Sequence, residues 1–210
     1  MSARQLLLGL VETPAPTFDN FVTGRNGAAL AALHALGNMP GGDRCLYFWG
    51  VPGSGRSHLL AAWRAAHAGN PDCHAVDDVQ ALDDAAQIAL FNLYNRARGG
   101  EVWLLVAGDL PPAQLAVRDD VKSRLAWGLG FEILPLTDEE KRAALAGRAR
   151  QSGLRLTPEM IDYLMARSRR DMPSLIALVD AIDRHSLETK RPVTLPMLRD
   201  LLNQNQSLPL

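Results

Sequence analysis

The chemistry most directly readable in this sequence lies in Gly50-Val-Pro-Gly-Ser-Gly-Arg-Ser57. The string fits G-x-x-x-x-G-[K/R]-S and falls between an apolar run and a segment of helical composition. Its glycines let backbone N–H groups converge, and the helix that follows adds unpaired amides and a positive dipole end. Such a loop cradles phosphates. Gly50, Pro52, Gly53, Ser54, Gly55, Arg56, Ser57 and His58 are therefore the candidate nucleotide contacts, with the Ser57 hydroxyl placed to hold Mg2+. Arg56 stands where lysine is usual. Lysine acts as a compact point charge, whereas guanidinium is planar and geometrically demanding. Phosphate binding is expected to survive this exchange better than γ-phosphate activation.

Asp77-Asp78 ends the apolar run Cys73 to Val76. A carboxylate pair at a strand end suits Mg2+ support by Asp77 and orientation of an attacking water by Asp78. The cofactors implied are ADP or ATP with Mg2+. Metal chemistry of another kind fits poorly, because His58, His67 and His74, near Cys73, match no zinc spacing. No serine nucleophile sits in an elbow context. Arg148, Arg150, Arg155, Arg167, Arg169 and Arg170 read as a solvated basic face.

Positioning these groups needs strands that end beside one another. Cys45–Trp49 is a continuous apolar run, read as a buried parallel strand. Cys73–Val76, Val102–Ala107 and Phe131–Leu134 read as three more. Helices are expected over Gly27–Leu36, Ser57–Ala68 and Leu82–Ala97, the last with Ile88, Phe91 and Tyr94 on its buried face. Alternation of strand and helix implies a parallel sheet with crossover helices. After Pro135 the strands stop. Thr137 with Glu140 forms a capping box for Asp138–Ser152; Thr157-Pro158, Pro173 and Thr194 open three further helices. The reading is a tail over residues 1–16, an α/β nucleotide-binding domain over 17–136 and a helical domain over 137–210.

Bulk composition sets the outer limits. The 210 residues are 47% hydrophobic and 21% charged, ordinary for a globular chain. A net charge of -1 gives no global pull toward nucleic acid or an anionic surface. Cys45 and Cys73 are expected to be reduced, buried thiols. The apolar start is too short for a leader and lacks a cleavage site, and no stretch approaches a membrane span. A cytoplasmic protein is expected.

Three strings, Thr17-Phe-Asp-Asn-Phe-Val-Thr-Gly24, Ala75-Val-Asp-Asp-Val-Gln80 and Ser123-Arg-Leu-Ala-Trp-Gly-Leu129, resemble the AAA+ module of the bacterial replication initiator DnaA. Gly53-Ser-Gly-Arg-Ser-His-Leu-Leu60, Phe91-Asn-Leu-Tyr-Asn-Arg96 and Gly108-Asp-Leu-Pro-Pro112 are more similar to the shorter Hda group, the regulatory inactivators of DnaA. The resemblance implies an AAA+ P-loop NTPase core, an α/β fold with sheet order 5-1-4-3-2, and residues 137–204 as the lid. Only 19 residues separate Ser57 from Asp77, so strand 2 at the edge is expected to be missing, leaving 5-1-4-3.

The resemblance also assigns roles. Arg124 matches the arginine finger, acting in trans on a neighbour's nucleotide, and Asp109 matches sensor I. Pro173 occupies the place of the sensor II arginine, with Arg169 and Arg170 nearby. Gln5-Leu-Leu-Leu-Gly-Leu10 resembles the hexapeptide that binds the β sliding clamp of DNA polymerase III, through Gln5, Leu6, Leu8 and Leu10. Gly9 stands where that pattern has proline, which adds chain entropy and should weaken binding. The implied function is a regulator of replication initiation that stimulates ATP hydrolysis by DnaA, with weak or no turnover of its own. It implies DnaA and the clamp as partners, possible self-association, little direct DNA binding and no membrane. The alternative is a DnaA-like or helicase-loader-like ATPase acting directly on DNA. Against it, the chain's stop at Leu210 is expected to leave no room for a helix-turn-helix domain.

Overall fold

A computed structural model describes residues 14–36, 43–167 and 171–203. The clamp-like residues Gln5, Leu6, Leu8 and Leu10 lie outside the described residues, as do Arg169 and Arg170. Two compact units meet in sequence at Leu136 and Thr137.

The first unit carries β1 (Cys45–Trp49), β2 (Cys73–Val76), β3 (Trp103–Gly108) and β4 (Leu129–Glu132), with α1 (Gly27–Ala35), α2 (Arg56–Ala66), α3 (Asp84–Arg98) and α4 (Asp119–Leu125). All strand pairings are parallel and the order is β2-β3-β1-β4. That is the expected 5-1-4-3 arrangement taken from its other edge, with no strand between α2 and β2. Alternate residues of the central strands feed opposite faces, as the pleat requires. Tyr47, Leu104 and Val106 pack with Leu90 and Tyr94 of α3 and Val121 and Leu125 of α4. Leu46, Phe48, Leu105 and Ala107 pack with Leu33 of α1 and Leu59, Leu60 and Trp63 of α2.

Register aligns the strand ends that carry the motifs. Trp49 lies opposite Gly108, and Val76 opposite Val106, so the carboxyl ends of β1, β2 and β3 finish nearly level. β2 forms one edge of the sheet, where the Arg64 guanidinium donates to the Ala75 carbonyl.

Several expectations shift. Ile88 is exposed rather than buried; α3 turns Gln87, Leu90, Tyr94 and Ala97 inward. Gln87 explains the rotation, because its amide donates to the Leu82 carbonyl (2.9 Å) and accepts from the Arg118 N–H (2.9 Å). A satisfied polar group can occupy a core position that a count of apolar residues assigns elsewhere. β4 begins two residues early, at Leu129, though the Ile133 N–H still reaches the Trp49 carbonyl (2.7 Å). Helix α4 has no counterpart among the expected elements, for its seven residues are too few to display a period. Cys45 and Cys73 are free thiols, half-buried rather than fully buried. Burial, with Asp43 second, pushes the Cys45 thiol up to about 11.

The second unit contains α5 (Asp138–Gln151), α6 (Pro158–Arg167), α7 (Met172–Thr189) and α8 (Leu195–Asn203). The capping box forms as expected, with the Glu140 N–H donating to Thr137 Oγ1 and the Thr137 N–H to the Glu140 carboxylate. Asp171 caps α7 by accepting from the Ser174 N–H, so Pro173 is the second helical residue. Leu145, Ile161, Leu164, Leu175, Val179, Ile182 and Leu198 form the core of this unit. Arg148 grips Asp180 bidentately at 2.7 and 3.0 Å across α5 and α7. Among the described residues no helix is long and apolar enough to cross a membrane.

Candidate nucleotide site

The loop between β1 and α2 takes its shape from glycines that cannot be replaced cheaply. A Cβ at Gly50 would lie 2.4 Å from the Ile133 carbonyl oxygen, a backbone atom that cannot step aside. Gly55 has φ +105°, and a Cβ there would meet the Phe21 ring at 2.9 Å. The Ser54 N–H closes the loop onto the Val51 carbonyl (3.1 Å). Gly55 precedes the first turn of α2, whose amides have no partner within the helix. Ser57, in that turn, is exposed.

Three buried polar atoms at this end of the sheet have no protein partner: Ser54 Oγ, Arg56 Nη1 and Asp109 Oδ1. Arg56 is only 7% exposed. An orphaned buried donor costs about 1–3 kcal/mol, more when charged, unless a ligand satisfies it. A serine hydroxyl and a guanidinium beneath a glycine loop are the donor set a diphosphate requires. The residues present therefore fit a bound nucleotide.

Beyond the loop, a hydrogen-bonded chain ties the strand ends together. The Asp78 N–H donates to Asp77 Oδ1 (2.9 Å), Gln80 Nε2 donates to Asp78 Oδ1 (3.1 Å), and the Asp109 N–H donates to Gln80 Oε1 (3.3 Å). Asp78 holds φ +48°, a left-handed conformation uncommon for a residue with a side chain. Tyr47 Oη donates to the Leu110 carbonyl (2.6 Å). Its phenol is pushed well above its ordinary range by burial first and by Asp109 second, while Arg56 pulls it back. The phenol thus feels both Arg56 and Asp109. Gly108 is required here, since a Cβ would fall 2.4 Å from Tyr47 Oη.

The segment before α1 packs on the loop. Thr17 and Asn20 exchange bonds between backbone N–H groups and side-chain oxygens (2.8 and 3.2 Å). His58 Nε2 lies 2.9 Å from the Thr17 carbonyl, and the Phe21 and His58 rings sit 5.5 Å apart. Asn26 is buried and spans Leu134, donating to its carbonyl (2.9 Å) and accepting from its N–H (2.8 Å).

The structure thus gathers Gly50–His58, Asp77, Asp78 and Asp109 at one end of the sheet. Tyr47, Gln80, Phe21 and Asn26 join them; Phe21 and Gln80 lie within the strings that resemble DnaA, but none of the four is assigned a role there. Tyr47 looks like core material inside an apolar run, and Gln80 and Asn26 each bond to a residue distant in sequence, Asp109 and Leu134. Arg124 is elsewhere, on α4, with its guanidinium over the rings of Phe91 and Trp127. Among the described residues no three His, Cys, Asp or Glu side chains form a metal cluster. A Mg2+ ion here would depend on Ser57, Asp77, phosphate oxygens and water, the kind of shell that ion prefers.

Residues 138–202 match the family described as Hda, lid domain. The chain is similar to domain III from the Thermotoga maritima replication initiation protein DnaA, with TM-score 0.65 and 20% identity, covering 93% of this chain and 100% of that one. AMPPCP-bound DnaA from Aquifex aeolicus matches with TM-score 0.63 and 24% identity, covering 83% of this chain and 67% of that one. A variant of Thermotoga maritima RuvB matches with TM-score 0.59 and 15% identity, covering 91% of this chain and 72% of that one.

Proposed function

We propose the following role for a chain that has the DnaA-like AAA+ fold and whose residues 138–202 match the family described as Hda, lid domain. It is a nucleotide-bound adaptor of replication initiation that tethers to the sliding clamp through Gln5–Leu10 and promotes ATP hydrolysis in DnaA. The single observation that carries this reading is the Hda lid match, on a fold shared with DnaA itself.

In this reading the amides of Gly53–Ser57 and the Arg56 guanidinium bind the phosphates of ADP or ATP. Ser57 and Asp77 hold Mg2+, which neutralises phosphate charge when bound. Gln80 fixes the spacing of Asp78 and Asp109 by bonding to both. Arg124 is offered to the nucleotide of ATP-bound DnaA, where a finger supplied in trans stabilises charge developing on the transferred phosphoryl group.

The test is an ATP-turnover assay with ATP-loaded DnaA, clamp and DNA, comparing the wild-type chain with Arg124→Ala. Stimulation should fall by ~10²-fold or more, approaching the range for removal of such a finger; equal stimulation by both would remove the mechanism. Gln5→Ala should lose clamp in a pull-down. Salt-sensitive DNA binding together with rapid turnover by the chain alone would favour the DNA-acting ATPase instead.

A further inference from the structure

Away from the phosphate loop, two aromatic rings and two guanidinium groups form one stack. The Arg124 guanidinium carbon lies 5.1 Å from the Phe91 ring centroid and 4.7 Å from that of Trp127. Arg98, at the end of α3, sits over the same indole at 4.0 Å. Trp127 is nevertheless 55% exposed, in a fold that buries Trp63 completely. An indole left half in water while clasped by two cations is not a core residue.

The partners these arginines lack are as informative. Arg96, Arg118, Arg142 and Arg148 each end on a carboxylate. Among the described residues, neither Arg98 nor Arg124 makes an ion pair, and Arg124 Nε is buried with no acceptor. A carboxylate would neutralise a guanidinium and occupy its N–H fork. An aromatic face instead holds the plane through its quadrupole and leaves charge and edge donors available. A free arginine must also freeze several rotatable bonds before it can bind a phosphate, whereas a stacked one has lost much of that freedom already.

We propose that Trp127 is the positioning residue for Arg124. Its indole, pinned in turn by Arg98, fixes the guanidinium plane before a partner arrives, and Phe91 supports the arrangement from α3. The inference rests on Arg124 acting on a partner's nucleotide.

Titrating the full chain into the assay with ATP-loaded DnaA, clamp and DNA yields a maximal stimulated rate and a half-saturating concentration. Trp127→Ala should lower the maximal rate roughly three- to thirty-fold, the equivalent of one cation–π contact, with little change in half-saturation. Trp127→Phe, which keeps a ring face, should restore most of the rate. Three results overturn the proposal: an undiminished maximal rate in Trp127→Ala, a loss confined to half-saturation, or a Phe variant no better than Ala. If Arg124→Ala itself stimulates fully, the finger reading fails. If Arg124→Ala is inactive and Trp127→Ala is not impaired, only the positioning role fails. A partner-free check is the Arg124 Nε–Hε resonance in a 1H–15N spectrum. The share of its ring-current displacement that the indole supplies should be lost in Trp127→Ala, leaving only that of Phe91, and should largely persist in Trp127→Phe; an unmoved resonance in the Ala variant also overturns the stack.

Discussion

Arg56 is the residue on which the nucleotide site turns. A lysine at this place would reach the phosphates as a flexible point charge, but this guanidinium lies beneath the loop with Nη1 unsatisfied. Burying a cation without a partner is costly, and among the described residues no ion pair to Arg56 offsets that cost. The arrangement gains most from an anion that fills the loop. Replacing Arg56 by Ala should therefore weaken ADP affinity by roughly ten- to a hundredfold, the equivalent of losing a charge-assisted hydrogen bond of about 1.5–3 kcal/mol. Titration calorimetry with ADP reads this directly. Unchanged affinity would mean that the guanidinium faces the protein and leaves the phosphates to the backbone.

At the scale of elements, the loop is held in place by neighbours more than by its own sequence. Gly50 nestles against the Ile133 carbonyl, just past β4, and Gly55 against Phe21. Asn26, immediately before α1, satisfies both backbone groups of Leu134 and so ties the entry to the first helix to the end of the last strand. Substituting Asn26 by Ala would leave the half-buried N–H and carbonyl of Leu134 without that partner, at up to about 1–3 kcal/mol for each unsatisfied group. Urea unfolding should show a loss of about 2–4 kcal/mol. A loss below about 0.5 kcal/mol would show that water takes over both bonds. The same two-way logic sets α3, where Gln87 inside the helix bonds to Leu82 on one side and Arg118 on the other.

For the molecule as a whole, the level strand ends and the orphaned donors predict a protein stabilised by its ligand. Any ligand that binds only the native state adds RT ln(1 + [L]/Kd), or about 2.7 kcal/mol at a hundredfold excess over Kd. ADP with Mg2+ at such an excess should raise the unfolding free energy by that amount, read as a shift in the urea midpoint. Absence of any shift would remove the nucleotide from the account, and with it the reason for the unsatisfied Ser54 hydroxyl and Arg56 guanidinium at one site.

The primary structure alone specified the phosphate loop, the parallel sheet and the boundaries of β1 and β2, because glycine spacing and unbroken apolar runs are local signals. The capping box at Thr137 was legible for the same reason. Tertiary packing decided which face of α3 is buried, since a glutamine with two partners outranks an isoleucine there. It also determined that α4 exists, that β4 starts at Leu129, and that Tyr47, Gln80 and Asn26 belong to the site. Apart from α4, which is too short to show a period, each of these depends on a hydrogen bond between residues far apart along the chain, and no window of neighbouring residues contains that information. The stacking of Arg98 and Arg124 on Trp127 is of this kind, for it exists only once α3 and the end of α4 lie side by side.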